Sequence, residues 1–264
     1  VPANGYLVLT AGQLARALRF HNGQGALFLV AAGPAVLSGY QHGFQFMTPA
    51  SSTSLGRHVA GDTREHFTAQ RAASLGAANS GPQVGPLIIE RLRVDASDGT
   101  EWIEVVNHGA EPVLLYDPAN PSLTWLLSGV GFQFPSGLEI KPGQRLLITN
   151  VEPGQLCSQQ ITSQSWQVTG PYARQLPEER GEVHLLKPRL AGSAKALLYE
   201  VVDSVLYDAS LVAPSPPGVD GWARVTPDAF GQDPLNWVPD DGALFEDELG
   251  AQAGGPLCSF DAVR

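Results

Sequence analysis

Apolar and polar positions alternate along residues 86–157 in short runs separated by turn residues. Within residues 99–116, Trp102, Val105, Val113 and Leu115 recur in alternation, broken at Asn107-His108-Gly109 and at Glu111-Pro112, the pattern of strands half buried in a sheet. A second pair follows the same grammar. Residues 130–134 alternate, Pro135-Ser136-Gly137 turns, residues 138–140 alternate, Lys141-Pro142-Gly143 turns, and residues 144–149 read as a core strand. No helix fits this span. Residues 150–177 are then a long excursion carrying Cys157, Trp166 and Tyr172, of a length that in compact domains is functional or pinned. Residues 191–198 predict a hairpin turn feeding a strand over 197–206, and the proline-rich residues 213–218 a stiff loop.

The first 83 residues repeat part of this pattern. Residues 4–10 match residues 142–149, residues 22–30 match residues 179–186, and residues 36–40 stand where residues 202–207 stand. Strands are therefore expected near residues 6–10 and 26–30. Between them, Leu14, Ala17 and Leu18 are spaced for one face of a short helix or a turn-rich crossover. Residues 48–54 form a polar loop, and residues 78–86 have the composition of a linker. Nothing in residues 1–83 matches residues 86–141. The expected organisation is an incomplete β unit over 1–83, a complete one over 84–242, and an acidic, glycine-rich tail over 243–264.

Several of these residues carry a family resemblance. Glu101-Trp102-Ile103-Glu104, Asn107 to Val113, Trp125 before a polar turn, Gly131 to Pro135 and Lys141 to Ile148 together resemble the lamin tail domain. Later stretches fit as well: the glycine-led strand at 180–186, a Val-Asp strand at 201–207 and the closing Asp233-Pro234-Leu235-Asn236-Trp237. In the first unit, Ser54-Leu55-Gly56-Arg57, residues 61–67 and residues 75–79 resemble the family's closing segment. The resemblance implies an immunoglobulin-like β-sandwich of the kind found in nuclear lamins and in secreted or surface bacterial proteins, and it transfers no catalytic residue. It also bears on Cys157 and Cys258. In a cytosolic protein they are two lone thiols; in the exported bacterial setting the resemblance implies, they are a disulfide closing a loop of about 100 residues, worth roughly 4 to 5 kcal/mol in the chain-entropy model.

Composition narrows the function. The 29 glycines and 21 prolines fall between alternating segments, as turns of an all-β chain do. The net charge of −10 is uneven: residues 1–83 hold five arginines against Asp62 and Glu65, a balance of +3, and residues 84–264 hold eleven basic against 24 acidic groups, a balance of −13. An acidic main unit with no basic run of five argues against nucleic-acid binding. No apolar stretch reaches the roughly 18 residues of a membrane-spanning helix. The start at Val1-Pro2 reads as a processed or fragmentary product.

Candidate chemistry is sparse. Asp95, Asp98 and Glu101 offer carboxylates for calcium, but a glycine-closed hairpin turn at Gly99 accounts for them. Asp240-Asp241 and Glu246-Asp247-Glu248 read as solvated acidic surface. The six histidines and two cysteines show no zinc spacing, and no nucleophile elbow or phosphate loop is present. No cofactor or metal is expected. Trp166, Tyr172 and Trp222 are the candidate ligand platform, since coplanar exposed aromatics stack on sugar rings. The expected role is a non-catalytic structural or protein-interaction module of an exported bacterial protein, located outside the cell, on its surface or in the periplasm, within a larger assembly. A protein partner, or a cleaved piece of the same precursor, is expected to complete residues 1–83, with oligomers a further outcome. The rival is a carbohydrate-binding module.

Overall fold

The computed structural model describes residues 5–14, 24–33, 37–47, 53–94, 99–156, 166–191, 196–211 and 221–240. The chain divides into two compact units, Val1–Gln83 with Arg189–Glu200, and Val84–Pro188 with Val201–Arg264. The division after residue 83 coincides with the change from arginine-bearing to acidic sequence. Arg189–Glu200 groups with the first unit, which a simple tandem reading does not foresee.

The first unit holds four strands in two hairpins. β1 (Gln24–Ala32) pairs antiparallel with β2 (Leu37–Met47), and β3 (Leu55–Val59) pairs antiparallel with β4 (Glu65–Ala69). Each hairpin is a two-stranded sheet by itself. Phe67 of β4 joins them, stacking on Phe44 at 5.1 Å and tilting against Phe46 at 5.3 Å. Its buried residues, among those described, are Gly56, Ala60, Gln70 and Pro82, none a large apolar side chain. Residues 5–10, expected as a strand, have none of the ladder bonds that define one. Their apolar alternation is strand-like, but a strand also needs a neighbour. A short 3-10 turn, Ala11–Gln13, is the described start of the expected crossover.

The second unit is an all-β sandwich. Its strands in chain order are β5 (Leu87–Arg93), β6 (Trp102–Asn107), β7 (Val113–Leu114), β8 (Tyr116–Asp117), β9 (Asn120–Thr124), β10 (Leu126–Ser128), β11 (Phe132–Gln133), β12 (Glu139–Ile140) and β13 (Arg145–Thr149), then β14 (Trp166–Thr169), β15 (Arg180–Ala191), β16 (Ala196–Asp208), β17 (Gly221–Arg224) and β18 (Trp237–Asp240). One sheet has six strands in the order β14-β13-β6-β5-β17-β18, the other four in the order β11-β10-β15-β16. Ile89, Leu92, Ile103 and Leu146 of the first sheet share one buried cluster with Leu127, Val183, Leu185 and Val205 of the second. That burial is the main apolar driving force for this unit.

Two details depart from the sequence expectation. β6 is buried on both faces rather than one: Trp102 packs with Leu147 on the outer face, and Glu104 is covered there by Arg145 and Arg91. The long excursion contains a helical turn, α1 (Pro153–Leu156), and the edge strand β14, which pairs parallel to β13.

The turns use the residues that mark them in the sequence. In Lys141-Pro142-Gly143-Gln144 the amide of Gln144 donates to the Lys141 carbonyl at 2.9 Å, and Gly143 takes φ 71°, a conformation that favours glycine at the third turn position. Asn107, fully buried, donates through Nδ2 to the carbonyls of Glu111 (2.9 Å) and Ile140 (2.8 Å) and accepts from the Gly109 amide (2.9 Å). One side chain thus fixes two connections.

Candidate functional site

Of the three residues of the candidate ligand platform, the two whose side chains are described are both packed in the core. Tyr172 is buried, with its hydroxyl donating to Glu101 Oε2 at 3.2 Å. Trp222 is buried too, stacked on Tyr207 at 5.9 Å between ring centres. Both rings fill the space between the sheets, so neither presents a face to a sugar. The side chain of Trp166 lies outside the described residues, as do Cys157 and Cys258, the expected disulfide. Asp95, Asp98, Asp241 and residues 243–264 lie outside them as well.

Glu101, the describable member of the suggested calcium set, is occupied otherwise. Its Oε2 accepts the Leu176 amide at 2.9 Å as well as the Tyr172 hydroxyl, tying residues 172–176 to β6, and burial pushes its carboxyl above the usual range. Among the described residues no group of three His, Cys, Asp or Glu could hold a metal ion.

Two buried ion clusters stand out, and both are internally matched. Arg224 on β17 and Asp203 on β16 form a two-point pair at 2.8 and 3.2 Å. Arg224 also donates to the carbonyls of Ile89 (3.2 Å) and Ala229 (2.8 Å), while Asp203 accepts the Ile89 amide at 2.8 Å. Burial pushes the Asp203 carboxyl up against the opposing pull of Arg224. On the outer face of the six-stranded sheet, a register shift between Ile89 and Arg91 makes a bulge at Glu90. There Glu90 bonds Arg145 at 2.9 Å, and Arg145 also bonds Glu104. Burial pushes the Glu104 carboxyl up to about 7, opposed by Arg145 and Arg91. In each cluster the charges face each other inside the protein, and the atoms left without a hydrogen bond, Arg224 Nε and Glu104 Oε2, are themselves buried.

The first unit presents the opposite situation. Of the fourteen exposed large apolar residues among those described, nine belong to it: Tyr6, Leu7, Leu9, Leu27, Phe28, Leu29, Val59, Leu75 and Leu197. Set against the internal repeat, four of these take on meaning. Aligning Thr10 with Thr149 places Leu7 on Leu146 and Leu9 on Ile148; aligning Gly25 with Gly181 places Leu27 on Val183 and Leu29 on Leu185. The second-unit residues are core positions, exposed by 0%, 0%, 1% and 0%, whereas Leu7, Leu9, Leu27 and Leu29 are exposed by 65%, 59%, 47% and 69%. Sequence reasoning called residues 1–83 incomplete but did not single out these four positions. The signal that finds them is the residue-by-residue alignment of the repeat.

Close by, Glu65 on β4 bonds Arg57 and, at 2.9 Å, His42. Those two partners, Arg57 first, hold its carboxyl down at about 2. No family model, no curated protein and no solved structure matches the chain.

Proposed function

We propose that the chain is a non-catalytic interaction module, a lamin-tail-like β-sandwich preceded by a second, incomplete unit that binds protein. The observation carrying this reading is the exposure of Leu7, Leu9, Leu27 and Leu29 at positions whose counterparts form the core of the second unit. Exposed apolar residues gathered in one unit mark an interaction site. The matched ion clusters favour a structural rather than catalytic account of the buried charges. Support for the lamin-tail likeness comes from the roles of the residues that carry it. Asn107 joins two turns, Asp203 ties the sheets together by pairing with Arg224, and Trp237 donates through Nε1 to the Gly231 carbonyl at 2.8 Å from a fully buried position. Export from a bacterium, and with it a Cys157–Cys258 bridge, goes with that likeness. Alkylation mapping under non-reducing conditions tests the bridge, and two freely modified thiols would remove it.

The interaction reading is tested with an apolar dye and sedimentation velocity on the full chain. We expect dye binding and concentration-dependent association. Replacing Leu7, Leu9, Leu27 and Leu29 together by serine should abolish both and leave the tryptophan fluorescence unchanged, because all five tryptophans lie outside residues 1–83. A wild-type chain that binds no dye and sediments as a monomer at every concentration would refute the reading.

A further inference from the structure

We infer that the first unit is a strand acceptor for a separate polypeptide shaped like residues 87–128 of this chain, an inference that rests on the interaction reading above. In the second unit three edges are closed by strands from that one segment. β13 pairs with β6, placing Ile103 opposite Ile148 and Val105 opposite Leu146. β15 pairs with β10, placing Leu127 opposite Leu185 and Leu126 opposite Leu186. β17 pairs with β5.

Two of the matching segments of the first unit lack that neighbour. Residues 5–10, which match β13, have no ladder partner among the described residues. β1, which matches β15, pairs among the described residues with β2 alone. β3, which matches β17, offers no such opening: its Gly56 and Arg57 carbonyls accept from Gln70 Nε2 at 3.2 Å and Asn79 Nδ2 at 2.8 Å. Two openings therefore ask for strands like β6 and β10.

The occupant has a definable chemistry. It is one continuous segment that lays an antiparallel strand on the edge of β1 away from β2, with apolar residues opposite Leu29 and Val30, and a second antiparallel strand beside residues 5–10, with apolar residues opposite Leu7 and Leu9. Edge pairing of this kind takes its affinity from main-chain hydrogen bonds and its specificity from alternate side chains. Charge adds a preference. The front half of the second unit, residues 84–141, has eight acidic against three basic residues, while residues 1–83 have the +3 balance; an acidic donor of the same make-up is attracted and an arginine-rich one repelled. This chain's own 87–128 cannot serve, because β13, β15 and β17 already hold those strands within the second unit. A second copy is excluded by the same pairing.

The test uses the full chain and a fluorescent probe polypeptide with the sequence of residues 84–141 on a soluble carrier, beside a scrambled version. We expect saturable one-to-one binding of the probe, none of the scramble, and hydrogen-exchange protection appearing at residues 5–10 and 25–30. Leu27→Glu and Leu29→Glu should each weaken binding by about tenfold or more. Leu75→Glu should not weaken it, because Leu75 is more exposed than either yet lies off the aligned core positions. Equal binding to wild type and Leu29→Glu, or protection outside these segments, overturns the strand-acceptor inference and leaves the interaction reading standing. So does self-association that saturating probe fails to displace, which would make the occupant a second copy. A chain that stays monomeric, ignores the probe and binds no apolar dye overturns both.

Discussion

Replacing Arg224 by methionine should unfold the second unit more easily than any surface substitution, and the size of the effect follows from what Arg224 holds. β17 ends opposite Glu90, since Ala223 pairs with Arg91 and the Val225 amide turns away to the Asn236 carbonyl. Ile89 therefore lies past the end of its neighbour, in the core, with no ladder partner on that side. Asp203 takes its amide and Arg224 its carbonyl. Methionine fills much of the same space but leaves the Asp203 carboxylate buried and without its counter-charge. Breaking a buried pair from one side costs about 3 to 5 kcal/mol, and at about 2 to 4 °C per kcal/mol the midpoint should fall by roughly 6 to 20 °C.

Tryptophan fluorescence is the assay, since Trp237 lies 5.9 Å from the Arg224 guanidinium carbon and fully buried. The variant also acquires a pH signature. In Arg224→Met the folded-state Asp203 pKa rises further above its unfolded value, so the folded state binds the extra proton. Its deficit is then largest near neutral pH and shrinks as pH falls through the folded pKa toward the unfolded value near 4. Adding Asp203→Asn, which keeps an acceptor for Ile89 but removes the charge, should recover part of the loss, with a coupling of about 0.5 to 3 kcal/mol. A loss under about 1 kcal/mol for Arg224→Met, or strict additivity in the cycle, would mean that the pair does not pin the sheets.

Asn107→Ala should cost about 2 to 4 kcal/mol in urea unfolding, because it strands the Glu111 and Ile140 carbonyls and the Gly109 amide at once; a loss below half a kcal/mol would show that water replaces it. Gly181→Ala should destabilise by about 1 to 3 kcal/mol through overpacking, since a Cβ there would lie 2.1 Å from the Tyr207 hydroxyl oxygen; an unchanged midpoint would mean the ring moves freely. Glu104 carries a raised carboxyl, about 7, so its protonated form favours the folded state. Stability should fall as pH rises from about 4.5 to 7 and then level, and Glu104→Gln should flatten that slope; parallel curves for the two proteins would refute the assignment.

Where a signal is local, the sequence carries it. The Lys141-Pro142-Gly143 turn, the Asn107 turn and the alternation of β13 need only near neighbours, and each is where its pattern puts it. What the pattern leaves out is always a partner. The buried outer face of β6 depends on Arg91 and Arg145 reaching over from adjacent strands. β14 is a four-residue edge strand in a long excursion, defined only by β13 beside it. Tyr172 and Trp222 look like ring platforms in one dimension and are core in three, because exposure belongs to the opposing sheet rather than to the residue. Residues 5–10 fail the same way from the other side: their alternation is sound, and no described strand meets it.

That failure has an energetic scale. Fully burying a leucine-sized side chain is worth about 1.5 to 3 kcal/mol, and Leu7, Leu9, Leu27 and Leu29 are each about half to two-thirds exposed, so together they leave about 4 to 7 kcal/mol unrealised, comparable with the lower end of an ordinary domain's whole stability. What holds the first unit meanwhile is two hairpin ladders, the Phe44–Phe67 stack and the His42–Glu65–Arg57 bonds. An isolated two-stranded hairpin is marginal in water. A binder that recognises only the ordered form adds its own free energy to folding. The two units should therefore respond differently to a strand donor, the amides of residues 5–10 and of β1 gaining protection while those of β5 and β6 keep theirs.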